Sequence, residues 1–269
     1  MKRLLLFVSL NLSLELLAQP AYFQQRADFT IDVSLNDREH TLTAFENIRY
    51  TNNSPDTLRF IWFHLWPEAF RNDKTAFSDQ LLENGSTSFY FSNKNQKGYI
   101  NRLNFKVDGV TSETEDHPSY IDVIKLLLPK PLFPGGQISI TTPFHVKLPS
   151  NFSRGGHSGQ SYQVTQWYPK PAVYDRGGWH PMPYLDQGEF YSEYGDYDVR
   201  ISIPDNYVVA ATGELQNPDE IAWLKNRLIP TYSPYKPLKK GRRPPLPVNS
   251  DIPASSAKFK ELRYIQKSV

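Results

Sequence analysis

The sequence predicts an all-β protein: a β-sandwich of antiparallel strands with one short helix and a Pro/basic-rich loop. Three observations lead there. The 269 residues include 22 Pro, 16 Phe, 16 Tyr and 5 Trp; proline breaks helix interiors, while aromatic side chains suit the pleated surface of a sheet. Apolar residues recur with a period of two along much of the chain, the spacing of half-buried strands. With 39% hydrophobic and 22% charged residues, the chain can bury a core, which excludes disorder throughout.

The elements follow in order. Phe29, Ile31, Val33 and Leu35 alternate, Asn36-Asp37 signals a turn, and Leu42, Ala44, Ile48 and Tyr50 repeat the period, giving a hairpin with one wet face. From Leu58 to Trp66 both parities are apolar, as in a strand covered on both sides. Ile121 to Leu128 is a further apolar run, closed by Pro129, Pro131 and the turn Pro134-Gly135-Gly136. Ile138, Ile140, Phe144, Val146 and Leu148 share one parity, a long strand in which Pro143 marks an edge or a bulge. Val199, Ile201 and Ile203 form the next strand, with Pro204-Asp205-Asn206 as a turn and Val208 to Ala211 as its partner.

Asn217 can cap a helix, Pro218 suits its first position, Asp219 and Glu220 complement its dipole, and Ile221, Leu224 and Leu228 share one face. The spacing predicts the one helix over 218–228. Residues 230–253 hold seven prolines with Lys236, Lys239, Lys240, Arg242 and Arg243; no aromatic ladder accompanies these charges, so the segment reads as a solvated loop rather than a polyanion-binding arm. Strand character returns from Phe259 to Ile265, and the sequence stops at Val269 as though cut within an element.

Met1-Lys2-Arg3, an apolar run from Leu4 to Leu17, and Ala18 before Gln19 read as a signal peptide over 1–18. The mature domain would be 19–269, exported to the periplasm or beyond. An uncleaved anchor is the other reading, but about 14 apolar positions fall short of the roughly 20 that a span needs. No other segment approaches that length, so no membrane span is expected after cleavage. A net charge of +2 gives no footprint for nucleic acid, and the absence of cysteine excludes disulfides, thiolate metal sites and a Cys nucleophile.

Few motifs carry chemistry. His40, His64, His117, His145, His157 and His180 are scattered and no H-E-x-x-H occurs, so they read as strand-face or loop residues rather than zinc ligands. Gly156-His157-Ser158-Gly159-Gln160 departs from the nucleophile elbow at its fifth position and reads as a flexible glycine loop. Phosphate-binding glycine patterns are absent. Asp186, Glu189, Glu193, Asp196 and Asp198 crowd among Phe190, Tyr191, Tyr194 and Tyr197. Such a cluster suits a solvated turn, a loop-built calcium site or a carboxylate pair for glycoside hydrolysis.

Thr165-Gln166-Trp167-Tyr168-Pro169-Lys170-Pro171-Ala172-Val173-Tyr174, Gly178-Trp179-His180-Pro181 and the run from Gly188 to Val199 form a recognisable series. It is joined by Tyr50 to Ser54, Phe63 to Phe70, Leu128 to Gly136 and Val208 to Asn217. Together they resemble the N-terminal β domain of aminopeptidase N-like zinc metallopeptidases, the gluzincin family, in the form found in secreted Bacteroidetes proteins. The resemblance implies a β-sandwich packed on a thermolysin-like catalytic domain that carries H-E-x-x-H, a Glu ligand and G-x-M-E-N, none of which occurs here. It therefore implies no cofactor in this chain, zinc in the full-length family, peptide as substrate, and a truncated chain inactive alone. In the family a Gln, often followed two residues later by an acid, holds the substrate's N-terminal residue. Gln166 matches that Gln, and Tyr168 stands where the acid would be; these two are the candidate substrate-binding residues.

A second reading is an exported aromatic-rich sandwich that binds glycan or protein, with Trp167, Tyr168, Trp179 and Tyr184 as a stacking platform.

Overall fold

The computed structural model describes residues 22–227 and 253–269. The expected signal peptide, Leu228 of the expected helix and nearly all of the Pro/basic-rich loop lie outside these residues.

Strands β1 (Arg26–Asn36) and β2 (Thr41–Thr51) form the expected hairpin, with Phe29 opposite Ile48 and Val33 opposite Ala44. Alternation buries Ile31, Ile48 and Tyr50 while Thr30 and Asp32 stay exposed. In the turn, Asn36 Oδ1 accepts the Arg38 and Glu39 N–H groups, an Asx turn. Strand β3 (Leu58–His64) stops short of the expected Trp66. Pro67 sits in the first turn of a 3-10 helix over Trp66–Phe70, and a proline that cannot donate to a ladder favours that exit.

The expectation of a single helix is corrected by α1 (Ala76–Glu83). Thr75 Oγ1 accepts the Ser78 N–H at 3.2 Å as its cap, and Phe77 and Leu81, one turn apart, are buried. Four short strands follow: β4 (Tyr99–Asn101), β5 (Lys106–Val107), β6 (Val110–Thr111) and β7 (Thr114–Asp116). Strand β8 (Val123–Leu132) continues through the prolines expected to end it. Pro129 and Pro131 are exposed, and the ladder to β3 shifts register between Leu58 and Phe60, so neither proline interrupts regular pairing.

Strand β9 (Gln137–Lys147) keeps unbroken register with β2 through Pro143, opposite Phe45, so no bulge forms there. On its other side it pairs β4 and β5, which leave 142–144 unpaired. Pro143 thus lies at a gap where Thr142 Oγ1 accepts the Asn104 N–H. The expected glycine loop is a hairpin, β10 (Gly156–Ser158) and β11 (Ser161–Gln163). Then come β12 (Lys170–Pro171), β13 (Tyr174–Asp175), β14 (Gly178–Trp179) and β15 (Tyr197–Pro204).

Val208 to Ala211 is not the partner of β15 and is not a strand. After β16 (Glu214–Leu215) and α2 (Pro218–Arg227), β17 (Phe259–Gln266) takes that place, pairing antiparallel from Tyr197↔Gln266 to Pro204↔Phe259. Asn217 spends its side chain on β17 rather than on the helix: its amide donates to Glu261 O and its oxygen accepts the Arg263 N–H.

The larger sheet has the order β16-β17-β15-β1-β2-β9-β5-β6, with β4 also on β9; the smaller is β12-β3-β8-β7. The β1–β15 pairing is parallel, with Ile31 opposite Val199. One core joins the sheets, from Phe29, Ile31 and Ile48 to Ile61, Phe63 and Leu126, each such burial contributing about 1.5–3 kcal/mol. A second core gathers Trp66, Phe70, Phe77, Leu81, Phe89 and Tyr184 around α1. Between β1 and the start of β15 the backbones nearly touch: a Cβ at Gly195 would lie 1.6 Å from Ala27 O. No residue but glycine fits there.

Candidate functional site

The site begins where the two cores meet. Trp66 Nε1 donates to Met182 O at 3.1 Å, and the His64 ring stacks on the indole with centroids 4.4 Å apart. His64 Nε2 accepts the Met182 N–H at 3.2 Å, which assigns the ring proton to Nδ1, an atom without a partner. Burial, with Lys170 nearby, pushes the imidazole down to about 3, so it is neutral at physiological pH.

Lys170 lies directly opposite His64 in the β12–β3 ladder, and the pairing leaves it 5% exposed. Its Nζ donates to Gln166 Oε1 and to Ser192 Oγ (3.1 Å), and lies 4.3 Å from the centroid of the Trp66 ring. Among the described residues it forms no ion pair. Burial alone depresses its pKa to about 7.

Gln166 has φ 53°, left-handed backbone uncommon outside glycine, in the segment that runs from β11 to β12. Trp167 packs on Phe144 with centroids 5.8 Å apart, and Tyr168 packs edge-on to Phe29 at 5.3 Å. The Tyr168 hydroxyl donates to the Tyr197 hydroxyl at 3.1 Å. The structure thus brings Gln166 to Lys170 and turns the Tyr168 hydroxyl inward. Burial first, then Tyr197 and Glu46, raise the Tyr168 phenol well above its usual range.

Glu46 is fully buried on the inner face of β2, and neither carboxylate oxygen has a partner. Desolvation raises its pKa well above the usual carboxylate range and so favours the neutral acid. Glu193 Oε1 accepts the Tyr174 N–H at 3.0 Å while Oε2 has no partner, and burial pushes this carboxyl up to about 7.

The other carboxylates of the 186–198 run separate. Asp186 accepts from Ser153 Oγ at 2.6 Å, Glu189 is exposed, Asp196 pairs with Arg26 and Lys267, and Asp198 pairs with Arg263. Among the described residues no three His, Cys, Asp or Glu side chains form a group that could hold a metal ion. Neither zinc, which the resemblance places in the family's catalytic domain, nor a calcium ion at 186–198 finds such a group among the described residues.

Next to Lys170 lies a cavity of about 1320 Å³. Its lining includes Ile31 and Val33 of β1, Val199 and Ile201 of β15, the segment from Gln160 to Lys170 except Gln166 and Pro169, and residues 190–194 and 207–212. The four aromatics of the expected stacking platform do not share one surface. Tyr184 is buried in the second core, while Trp167, Tyr168 and Trp179 are half-buried against the first.

Lys170, Glu46 and His64 were not singled out by sequence reasoning. Glu46 had a signal: it shares the buried parity of Leu42, Ala44, Ile48 and Tyr50. Lys170 had only its place between Pro169 and Pro171.

The chain matches no family model, and no curated protein matches it. Among solved structures it is similar to the M1 zinc metallopeptidase from Deinococcus radiodurans, at 14% identity and TM-score 0.43, covering 93% of this chain and 40% of that one. An E323A mutant of that peptidase bound to a Tyr-Ser-Ala substrate gives 13%, 0.42, 91% and 39%. A two-domain M1 zinc metallopeptidase E323A mutant bound to L-arginine gives 12%, 0.41, 91% and 39%. The chain spans about two fifths of the length of these structures.

Proposed function

We propose that this chain is the substrate-cleft β domain of an exported zinc-dependent aminopeptidase, its metal and general base supplied by residues other than those described here. The observation that carries the reading is the Thr165–Pro171 run: it matches the family-like motif, holds Gln166 in a left-handed conformation with its side-chain oxygen accepting from Lys170, and contributes Thr165, Trp167, Tyr168 and Lys170 to the cavity wall. In this reading Gln166 contacts the peptide and Tyr168 shapes the wall through its ring. The basic and apolar N-terminal run supports export.

The test is hydrolysis of amino-acid p-nitroanilides by the purified chain, with and without added zinc. The expected result is no zinc-dependent cleavage, since no H-E-x-x-H is present. Cleavage that a chelator abolishes and zinc restores would contradict the assignment of the chemistry to residues outside this chain.

A further inference from the structure

A buried ammonium with only neutral acceptors is electrostatically incomplete. Lys170 offers three N–H donors; Gln166 Oε1 and Ser192 Oγ take two. The third has no acceptor among the described residues, and Lys170, Ser192 and Tyr168 all line the cavity. We propose that Lys170 is the head of a carboxylate-binding site, and that the cavity beside it takes a small molecule bearing one carboxylate on an apolar body.

The chemistry of the site selects that class. One remaining donor suits a monoanion making one charged hydrogen bond, whereas phosphate needs several. The lining includes an aliphatic and aromatic stretch for the ligand's body, Ile31, Val33, Val199 and Ile201 with Tyr168 and Tyr197; its other cation, Arg154, already donates to the Asp186 and Gly188 carbonyls. The cavity volume of about 1320 Å³ exceeds what one amino acid would fill. Glu193 lines the same space, but its Oε1 accepts the Tyr174 N–H and it forms no ion pair with Lys170, so it does not supply the missing counter-charge. An alkyl chain and the C-terminal residues of an apolar peptide both present this chemistry.

The site shares its cavity wall with the proposed cleft, but binding is read on this chain without any peptidase assay, so the two readings fail separately. Calorimetric titration compares octanoate with octanamide, and N-acetyl-Leu-Phe free acid with its C-terminal amide. Either acid should bind at least about tenfold more tightly than its own amide, the least that one charged hydrogen bond is worth, and the acid that does so names the source. Lys170→Met should abolish the difference, and Lys130→Met, at an exposed position of β8, should preserve it. Equal binding of acid and amide, no binding of either acid up to about 1 mM, or a Lys170→Met chain that still prefers acids would each overturn the proposal. The acid-to-amide comparison needs no variant, so it decides even if Lys170→Met fails to fold.

Discussion

Lys170 Nζ lies 4.3 Å from the centroid of the Trp66 ring, so the buried cation rests on a π face and two neutral oxygens instead of a carboxylate. Cation–π attraction offsets part of its desolvation. Burial lowers its pKa to about 7 against an ordinary 10.5. Between those values the unfolded chain binds the extra proton, so stability should rise as pH goes from 7 to 10.5. Lys170→Met should remove that rise in denaturant midpoints. An unchanged slope in the variant would assign the titration to another group.

Glu193 and His64 should oppose each other at lower pH. Glu193, raised from 4.5 to about 7, stabilises the fold below pH 4.5 and loses that contribution as pH climbs to 7. His64, lowered from 6.5 to about 3, contributes stability above 6.5 that is lost as pH falls to 3. Glu193→Gln should therefore make stability rise more steeply between pH 4.5 and 6.5. A shallower rise would show that Glu193 is ionised in the fold.

Glu46 should be replaceable at a gain. Its buried oxygens have no partners, so Glu46→Met exchanges an unsatisfied acid for an apolar side chain of similar length. The expected stabilisation at pH 7 is roughly 1–3 kcal/mol by urea denaturation. Loss of that size instead would mean that the carboxyl has partners in solution.

Much of the strand architecture is legible as period two, and the second helix as its first-position proline and acidic first turn. What escapes has a physical reason. The helix at Ala76–Glu83 has only Phe77 and Leu81 to bury, so its apolar stripe is too thin to read, and it depends on the second core. Which strand pairs with Tyr197–Pro204 is a long-range choice made by β17, which local turn chemistry at Pro204-Asp205-Asn206 does not reveal. At the site the Lys170 environment is not legible, because it is assembled from β3, β12 and Ser192, far apart in sequence.

Asn52 joins three segments. Its amide donates to Asp56 O and Leu132 O, its side-chain oxygen accepts from Gln25 and Ser54, and its backbone pairs with Gly135 and Gly136. Asn52→Ala leaves several buried groups unpaired and should cost about 2–3 kcal/mol. The neighbouring, exposed Asn53→Ala should stay within about 0.5 kcal/mol. Equal effects would mean that the Asn52 network is not maintained in solution.

Gly195→Ala should abolish folding, since the methyl would overlap Ala27 O where β1 and β15 run parallel. Circular dichroism and expression as soluble protein report it. A folded Gly195→Ala protein would place the two backbones farther apart than described.

The central claim is that this β domain works as part of a zinc-dependent aminopeptidase. The most direct measurement is the intact mass and activity of the native species, captured from its source with an antibody to this chain. The account predicts a species larger than this chain by at least one further domain, with aminopeptidase activity lost to a chelator and restored by zinc. A species no larger than the chain, without such activity, would contradict it.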